Sequence, residues 1–312
     1  MKRFRLALLL LLLVLTGCQS TDNGSQLIKP SSPVILRVAG TSITLADFQK
    51  RMEAEIGAAV QRLLDQNKTA AEIIQLADQE NVRVSIFDQM IQDEVLLRAA
   101  RQEGLGVDPA KVEELIAQQT PPTPAGEQAP FTDLTQTRIV AAHREIAAQM
   151  ILRHTYADMF KARHILVDDE ATADEVLAQL KAGKSFTDLA ATYSKDSSAS
   201  TGGDLGWATR GSFVTEFENA GFNTPLNTPV KIQSQFGWHV IEVLERQNNR
   251  PFESIKQIED DITAAQSQNR LSYYESSFKP WLDKVRADMT ASGELEIPAG
   301  FDPNTVALPR LK

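Results

Sequence analysis

Apolar residues recur every three or four positions at Leu45, Phe48, Met52, Ile56, Val60 and Leu63, which gathers them on one face of a helix. Thr44 precedes that run with Asp47 three residues on, a pairing suited to a helix N-terminus. Ahead of it, Ile35-Leu36-Arg37-Val38 closed by Ala39-Gly40 predicts a short strand and a turn. A second helical face carries Phe87, Met90, Ile91 and Val95 and stops near Gly104 and Gly106. Asp108-Pro109 opens a third helix, with proline at the first position, where its missing N–H costs nothing. Pro121-Pro122-Thr123-Pro124-Ala125-Gly126 breaks the pattern as a loop or hinge. A helix over 135–160 completes a mainly helical region, 34–160, that has no repeat period.

From residue 162 the pattern changes. Two apolar, β-rich segments, 162–167 and 236–241, each carry one histidine, His164 and His239. Between and around them the order reads strand (162–167), helix (170–182), helix (185–193), a turn at Asp196, strand (204–207), helix (213–221), strand (229–234) and strand (238–245). Asp168, Asp169 and Glu170 suit the positive end of the first of these helices. After a turn at Asn248-Asn249-Arg250-Pro251, Ile255, Ile258, Ile262, Leu271, Tyr274, Phe278, Trp281 and Val285 predict an interrupted helical region over 248–290. The Pro- and Gly-bearing end, 291–312, reads as a loose tail. The fold class is α+β, with the strand-rich module set between helical regions.

Composition narrows the classes. The chain of 312 residues is long enough for two ordinary domains, and 23% charged with 42% hydrophobic residues suits a globular protein. A net charge of -9 argues against nucleic acid as a partner, since phosphate binding needs a basic surface. Lys2, Arg3 and Arg5 precede the apolar run Leu6 to Leu15, too short for the about 20 residues a membrane-spanning helix needs. Residues 1–17 therefore read as an export signal. Leu15-Thr16-Gly17-Cys18 resembles the bacterial lipobox, which implies cleavage before Cys18, acylation of its thiol and lipid anchoring of the exported chain. The plainer alternative is an ordinary secretory signal with a chance cysteine. Cys18 is the single cysteine, so no disulfide is expected. The polar stretch completing 18–33 reads as a tether.

The module holds Phe186-Thr187-Asp188-Leu189-Ala190, then Tyr193-Ser194-Lys195-Asp196-Ser197-Ser198, then Gly202-Gly203-Asp204-Leu205-Gly206, and ends on Phe236-Gly237-Trp238-His239. That order resembles the parvulin family of peptidyl-prolyl cis/trans isomerases, over 161–247. The resemblance implies a four-stranded antiparallel sheet covered by helices. It implies a proline pocket lined by Leu205, Phe213 and Phe217 with Phe236 at its edge. His164, Asp196 and His239 would lie beside the rotating bond, with Ser234 in their network. Asp196 stands where some members carry cysteine, which rules out thiol chemistry. The flanking helical regions resemble envelope foldases of the PrsA and SurA type, whose N- and C-terminal helices pack into one chaperone-like body. The implied partners are unfolded, proline-containing exported polypeptides and, through Cys18, a membrane.

Rotation about an X–Pro bond crosses a barrier of roughly 18–20 kcal/mol because the amide is conjugated. An apolar slot that holds the prolyl ring and excludes water favours the twisted amide, and nearby hydrogen-bonding groups steer its carbonyl. No heavy-atom bond is made or broken, so the reaction requires no metal or cofactor. The sequence leaves two roles open for Asp196, polarising the histidines or facing the carbonyl, and two for the histidines, rotation or shaping the pocket floor. Ser194, Ser197 and Ser198 lack a Gly-x-Ser-x-Gly elbow, and Gly202-Gly203 is followed by no Gly-Lys-Ser/Thr. His143 and His154, three helical turns apart, are too distant to share a metal. The alternative function is a chaperone or binding module whose parvulin domain scarcely turns over.

Overall fold

The computed structural model describes residues 32–119 and 134–309. The expected signal, Cys18, nearly all of the tether and the 121–126 loop lie outside them. The described residues divide into two compact units, one formed by those up to 150 with those from 281 onward and the other by 151–280.

The first unit opens with strands β1 (Val34–Val38) and β2 (Thr41–Thr44) and helix α1 (Leu45–Asp65). Thr44 and Asp47 form a reciprocal cap at the start of α1, each side chain accepting the other's backbone N–H. Helices α2 (Ala70–Gln79), α3 (Val82–Gln102), α4 (Pro109–Gln119) and α5 (Leu134–His154) follow. The core gathers Leu36, Val38, Phe48, Met52, Ile86, Phe87 and Ile91 with Met289, Leu295 and Val306 from the far end of the chain. Residues 295–308 are therefore not a loose tail. Strand β7 (Leu295–Glu296) pairs with β1, and Val306 and Leu308 are buried, so apolar side chains among the prolines and glycines hold the segment down. His143, on α5, is buried with its Nδ1 3.5 Å from Asp93 Oδ2.

In the second unit an antiparallel sheet runs in the order β4-β3-β6-β5, with β3 (Tyr156–Val167), β4 (Asp204–Ala208), β5 (Val230–Ser234) and β6 (Gly237–Pro251). Helices α6 (Glu170–Lys181) and α7 (Phe186–Tyr193) cover one face, against Ile165, Val167 and Val240. Helix α8 (Thr215–Asn223) covers the other, where Phe160, Ala162, Phe217, Ile241 and Val243 pack together.

Two boundaries differ from the expectation. The helix expected to reach residue 160 ends at His154, because Tyr156 to Phe160 pairs with the extension of β6 as far as Pro251. That extension also changes the fate of 248–290. Helix α9 (Ile255–Ser267) stays with the sheet unit, where Phe252 and Ile258 close on Ala157 and Met159. Only the residues from Trp281 onward, within α10 (Lys279–Ala291), join the helical unit. The loop from Pro251 to Ile255 is too short to carry α9 away from the strand it leaves.

Candidate active site

The register of β3 against β6 sets His164 opposite Ile241 and Leu166 opposite His239. Side chains alternate along a strand, so the two histidines become diagonal neighbours on the face that α8 covers. Their rings lie 20° from parallel, with the two Nδ1 atoms 3.2 Å apart. β5 brings Ser234, whose Oγ is 2.7 Å from His239 Nε2. The turn after α7 brings Asp196, whose Oδ1 is 3.2 Å from His164 Nε2, though without the alignment of a hydrogen bond. The four predicted polar residues therefore form one row, Asp196, His164, His239, Ser234.

One proton arrangement satisfies that row. A carboxylate beside His164 Nε2 favours the proton on that nitrogen, which leaves Nδ1 as an acceptor. His239 Nδ1–H then donates to it, and His239 Nε2 accepts from the Ser234 hydroxyl. Ser234 Oγ in turn accepts the Phe236 backbone N–H at 3.1 Å. The electrostatics of His239 agree with a neutral ring there. Burial, helped by the neighbouring His164, pushes His239 down to about 4. Burial works against the Asp196 carboxylate, but the hydroxyl and backbone N–H of Ser198 and the nearby His164 outweigh it and hold the group at about 2.

The apolar side is built from α8, β4 and the loop joining them. Phe217 is 2% exposed and meets both imidazoles edge-on at 5.5 Å, so it forms a floor rather than an open wall. Phe213 packs on it with ring centroids 4.7 Å apart, and Leu205 joins the same half-buried cluster. An open cleft of about 570 Å³ passes this point; Phe213 lines it, with Arg210, Glu218 and Gln235, whereas Leu205 and Phe217 do not. Phe236 is 63% exposed at the tip of the β5–β6 turn.

Three residues outside the expected site set support it. Ser198 donates both its hydroxyl and its backbone N–H to Asp196 Oδ1, at 2.5 and 2.8 Å. Ser194 Oγ accepts the backbone N–H of Leu166 and of Asp196, tying the acidic turn to β3. Gly203 lies against the His164 backbone: its φ is +79°, and a Cβ there would come within 2.2 Å of the His164 carbonyl oxygen. The Asp-x-Ser spacing of 196–198, typical of a side-chain turn, was the available signal for Ser198.

Residues 147–247 match the PpiC-type peptidyl-prolyl isomerase domain, and residues 1–127 match the SurA-like N-terminal domain. The chain is 30% identical to foldase protein PrsA of Geobacillus sp. (strain WCH70), covering 77% of this chain and 80% of that protein. It is 32% identical to a probable parvulin-type peptidyl-prolyl cis-trans isomerase of Bordetella bronchiseptica, covering 65% and 79%. A shorter match to foldase protein PrsA 1 of Bacillus cereus is 43% identical, covering 38% of this chain and 42% of that protein.

Proposed function

Because this chain belongs to the parvulin-type peptidyl-prolyl cis/trans isomerases of the PrsA foldase kind, we propose that His164, Asp196 and His239, with Ser234, are the polar side of its isomerase site. The chain is a peptidyl-prolyl cis/trans isomerase and foldase. Phe213 and Leu205 hold the prolyl ring, Phe217 supports both that surface and the imidazoles, and Phe236 grips the client at the edge. The buried histidine row behind Phe217 carries this reading, because a pre-oriented hydrogen-bonding network suits a reaction that makes and breaks no heavy-atom bond.

A planar amide is stabilised by water through its polar carbonyl. Placing the ring against Phe213 and Leu205 removes some of that water. Asp196, on the half-exposed side of the row, lies where a rotating peptide group passes, and each tenfold acceleration corresponds to about 1.4 kcal/mol of preference for the twisted form. The histidines hold the sheet at the spacing the slot requires and orient Asp196 through His164.

The clients are unfolded, proline-containing polypeptides outside the cytoplasm. The signal-like 1–17 segment and Cys18 support export and lipid attachment to a membrane; Gln19 after the cysteine is compatible with outer-membrane sorting in a two-membrane cell. The helical unit, residues 34–150 together with those from Trp281 onward that share its core, holds clients while the sheet unit isomerises them. Exchange of a prolyl peptide, followed by NMR line-shape or coupled proteolysis, tests the site. The chain from Gln19 onward should accelerate exchange, and Asp196→Ala and Phe217→Ala should each slow it. Background exchange with the unaltered chain, alongside equal suppression of client aggregation by all three proteins, would leave only the chaperone role. Cys18→Ser should move the protein from the membrane to the soluble fraction; an unchanged distribution would remove the anchor.

A further inference from the structure

The loop that carries Phe213 is fixed from both sides, and one side lies beyond the residues that match the isomerase domain. On the inner side, Glu218 of α8 turns back on the loop. Its Oε1 accepts the backbone N–H of Gly211 at 2.5 Å and of Phe213 at 3.1 Å. On the outer side, Gln268, just after α9, donates from Nε2 to the Gly211 carbonyl oxygen at 2.8 Å. Gln268 is itself held. Its Oε1 accepts from Arg270 Nε at 2.9 Å, while Arg270 Nη2 reaches Asp261 Oδ1 at 2.6 Å and Nη1 donates to the Leu271 carbonyl oxygen at 3.0 Å. The second oxygen of buried Asp261 accepts the Tyr273 backbone N–H at 2.6 Å.

The glycine is required at the centre of this contact. Gly211 has φ +89°, and a Cβ there would stand 2.7 Å from both Arg270 Nη2 and Gln268 Oε1. The clamp therefore packs against the bare backbone. Gln268, Arg270 and Asp261 each have all their polar atoms engaged, and Glu218 Oε1 takes two backbone N–H groups, which leaves little freedom for the loop once they are ordered.

We propose that Gln268 and Arg270, seated by Asp261, are positioning residues for the isomerase slot, acting through Gly211 on Phe213. The functional module then extends past residue 247, because the α9 segment sets the wall against which the prolyl ring lies. This rests on the reading of Phe213 as a slot residue, and the test separates the two.

The measurement is kcat/KM for prolyl-peptide exchange by the full chain, in a double-mutant cycle between the clamp and Phe213. Gln268→Ala and Arg270→Ala should each lower kcat/KM about three- to tenfold, the effect of losing one ordering hydrogen bond. In a Phe213→Ala background the same changes should have no further effect, because the group they position is gone. Gln268→Glu keeps the acceptor that meets Arg270 but loses the donor that meets Gly211, so it should match the alanine variant. Equal losses with and without Phe213 would reduce the clamp to a structural brace and overturn the proposal, as would unaltered activity in Gln268→Glu. If Phe213→Ala slows exchange and neither clamp variant does, the clamp fails alone. If Phe213→Ala has no effect, the slot reading fails and takes the clamp with it.

Discussion

In the helical unit, Arg51 and Asp93 are 1% and 2% exposed, and they meet between α1 and α3 with Nη2 to Oδ2 at 3.0 Å. Glu55 shares the same guanidinium, Gln89 donates to Asp93 at 2.8 Å, and His143 approaches from α5. In the sheet unit, Asp196 keeps 30% of its side chain exposed beside His164. Both regions set a buried imidazole beside a carboxylate, but the first encloses its charges on every side. Enclosed charges join helices and have no path to a ligand. A row that opens at one end can meet a peptide group, and the openness at Asp196, rather than the residue types, separates a site from a brace.

Burial acts on both clusters in favour of neutral forms, with opposite consequences. One guanidinium serves two carboxylates. Asp93 is held below its usual range: burial opposes this, but Arg51 and His143 outweigh it. For Glu55 burial prevails over Arg51 and pushes it up to about 7, with Oε2 finding no hydrogen-bond partner among the described residues. His239, by contrast, is pushed down to about 4.

The largest effect that sharpens this contrast is Arg51→Ala. It leaves Asp93 buried without its cation and should cost the helical unit about 3–5 kcal/mol of stability. Denaturant unfolding checks it, with Trp281 reporting on that unit and Trp207 and Trp238 on the other. Identical shifts in all three signals would show one cooperative block and break the comparison.

The pH dependence comes next. A raised carboxyl contributes stability below its unfolded value, lost as pH rises from about 4.5 to about 7. A lowered imidazole contributes stability above about 6.5, lost as pH falls toward about 4. Each shift is on the order of 3 kcal/mol over its window. Between pH 7 and 5 the helical unit should therefore gain stability while the sheet unit loses it, read from the same tryptophans. Glu55→Gln and His239→Asn should flatten the respective slopes; parallel slopes in the unaltered protein would contradict the opposition.

Phe217→Ala should lower kcat/KM for prolyl exchange about 50-fold by removing the floor under slot and imidazoles, with a stability loss confined to the sheet unit. Asp196→Asn is the smallest, about tenfold in kcat/KM, with little change in unfolding midpoint because the residue is partly exposed. A midpoint shift as large as that of Arg51→Ala would class Asp196 with the enclosed network.

Most elements were legible because their signals are local. The Thr44–Asp47 cap, the period of α1 and α3, and the alternation of β3 and β6 lie within a few residues of the structure they specify. The Thr69–Glu72 capping box at the head of α2 was equally local and went unread. The residues proposed for the site were read by resemblance, through the spacing of His164, Asp196 and His239, which the fold brings together. Ser198 went unread although its Asp-x-Ser signal is local; Ser194, Glu218 and the Gln268–Arg270 clamp were not legible, since they reach across to other elements and nothing in a serine or glutamine announces which backbone atom it will meet.

The sequence alone settled most of the helices and strands and the α+β class, because periodicity and turn chemistry act over short spans; the side chains proposed for the slot came from the family resemblance. Only the tertiary structure decided that α9 stays with the sheet, that the last residues close the helical core, and that Phe217 is a floor while Phe213 lines the cleft. Those outcomes depend on the β3–β6 register and on which apolar surfaces meet, and contacts between residues far apart in the chain leave no trace in any short stretch of it.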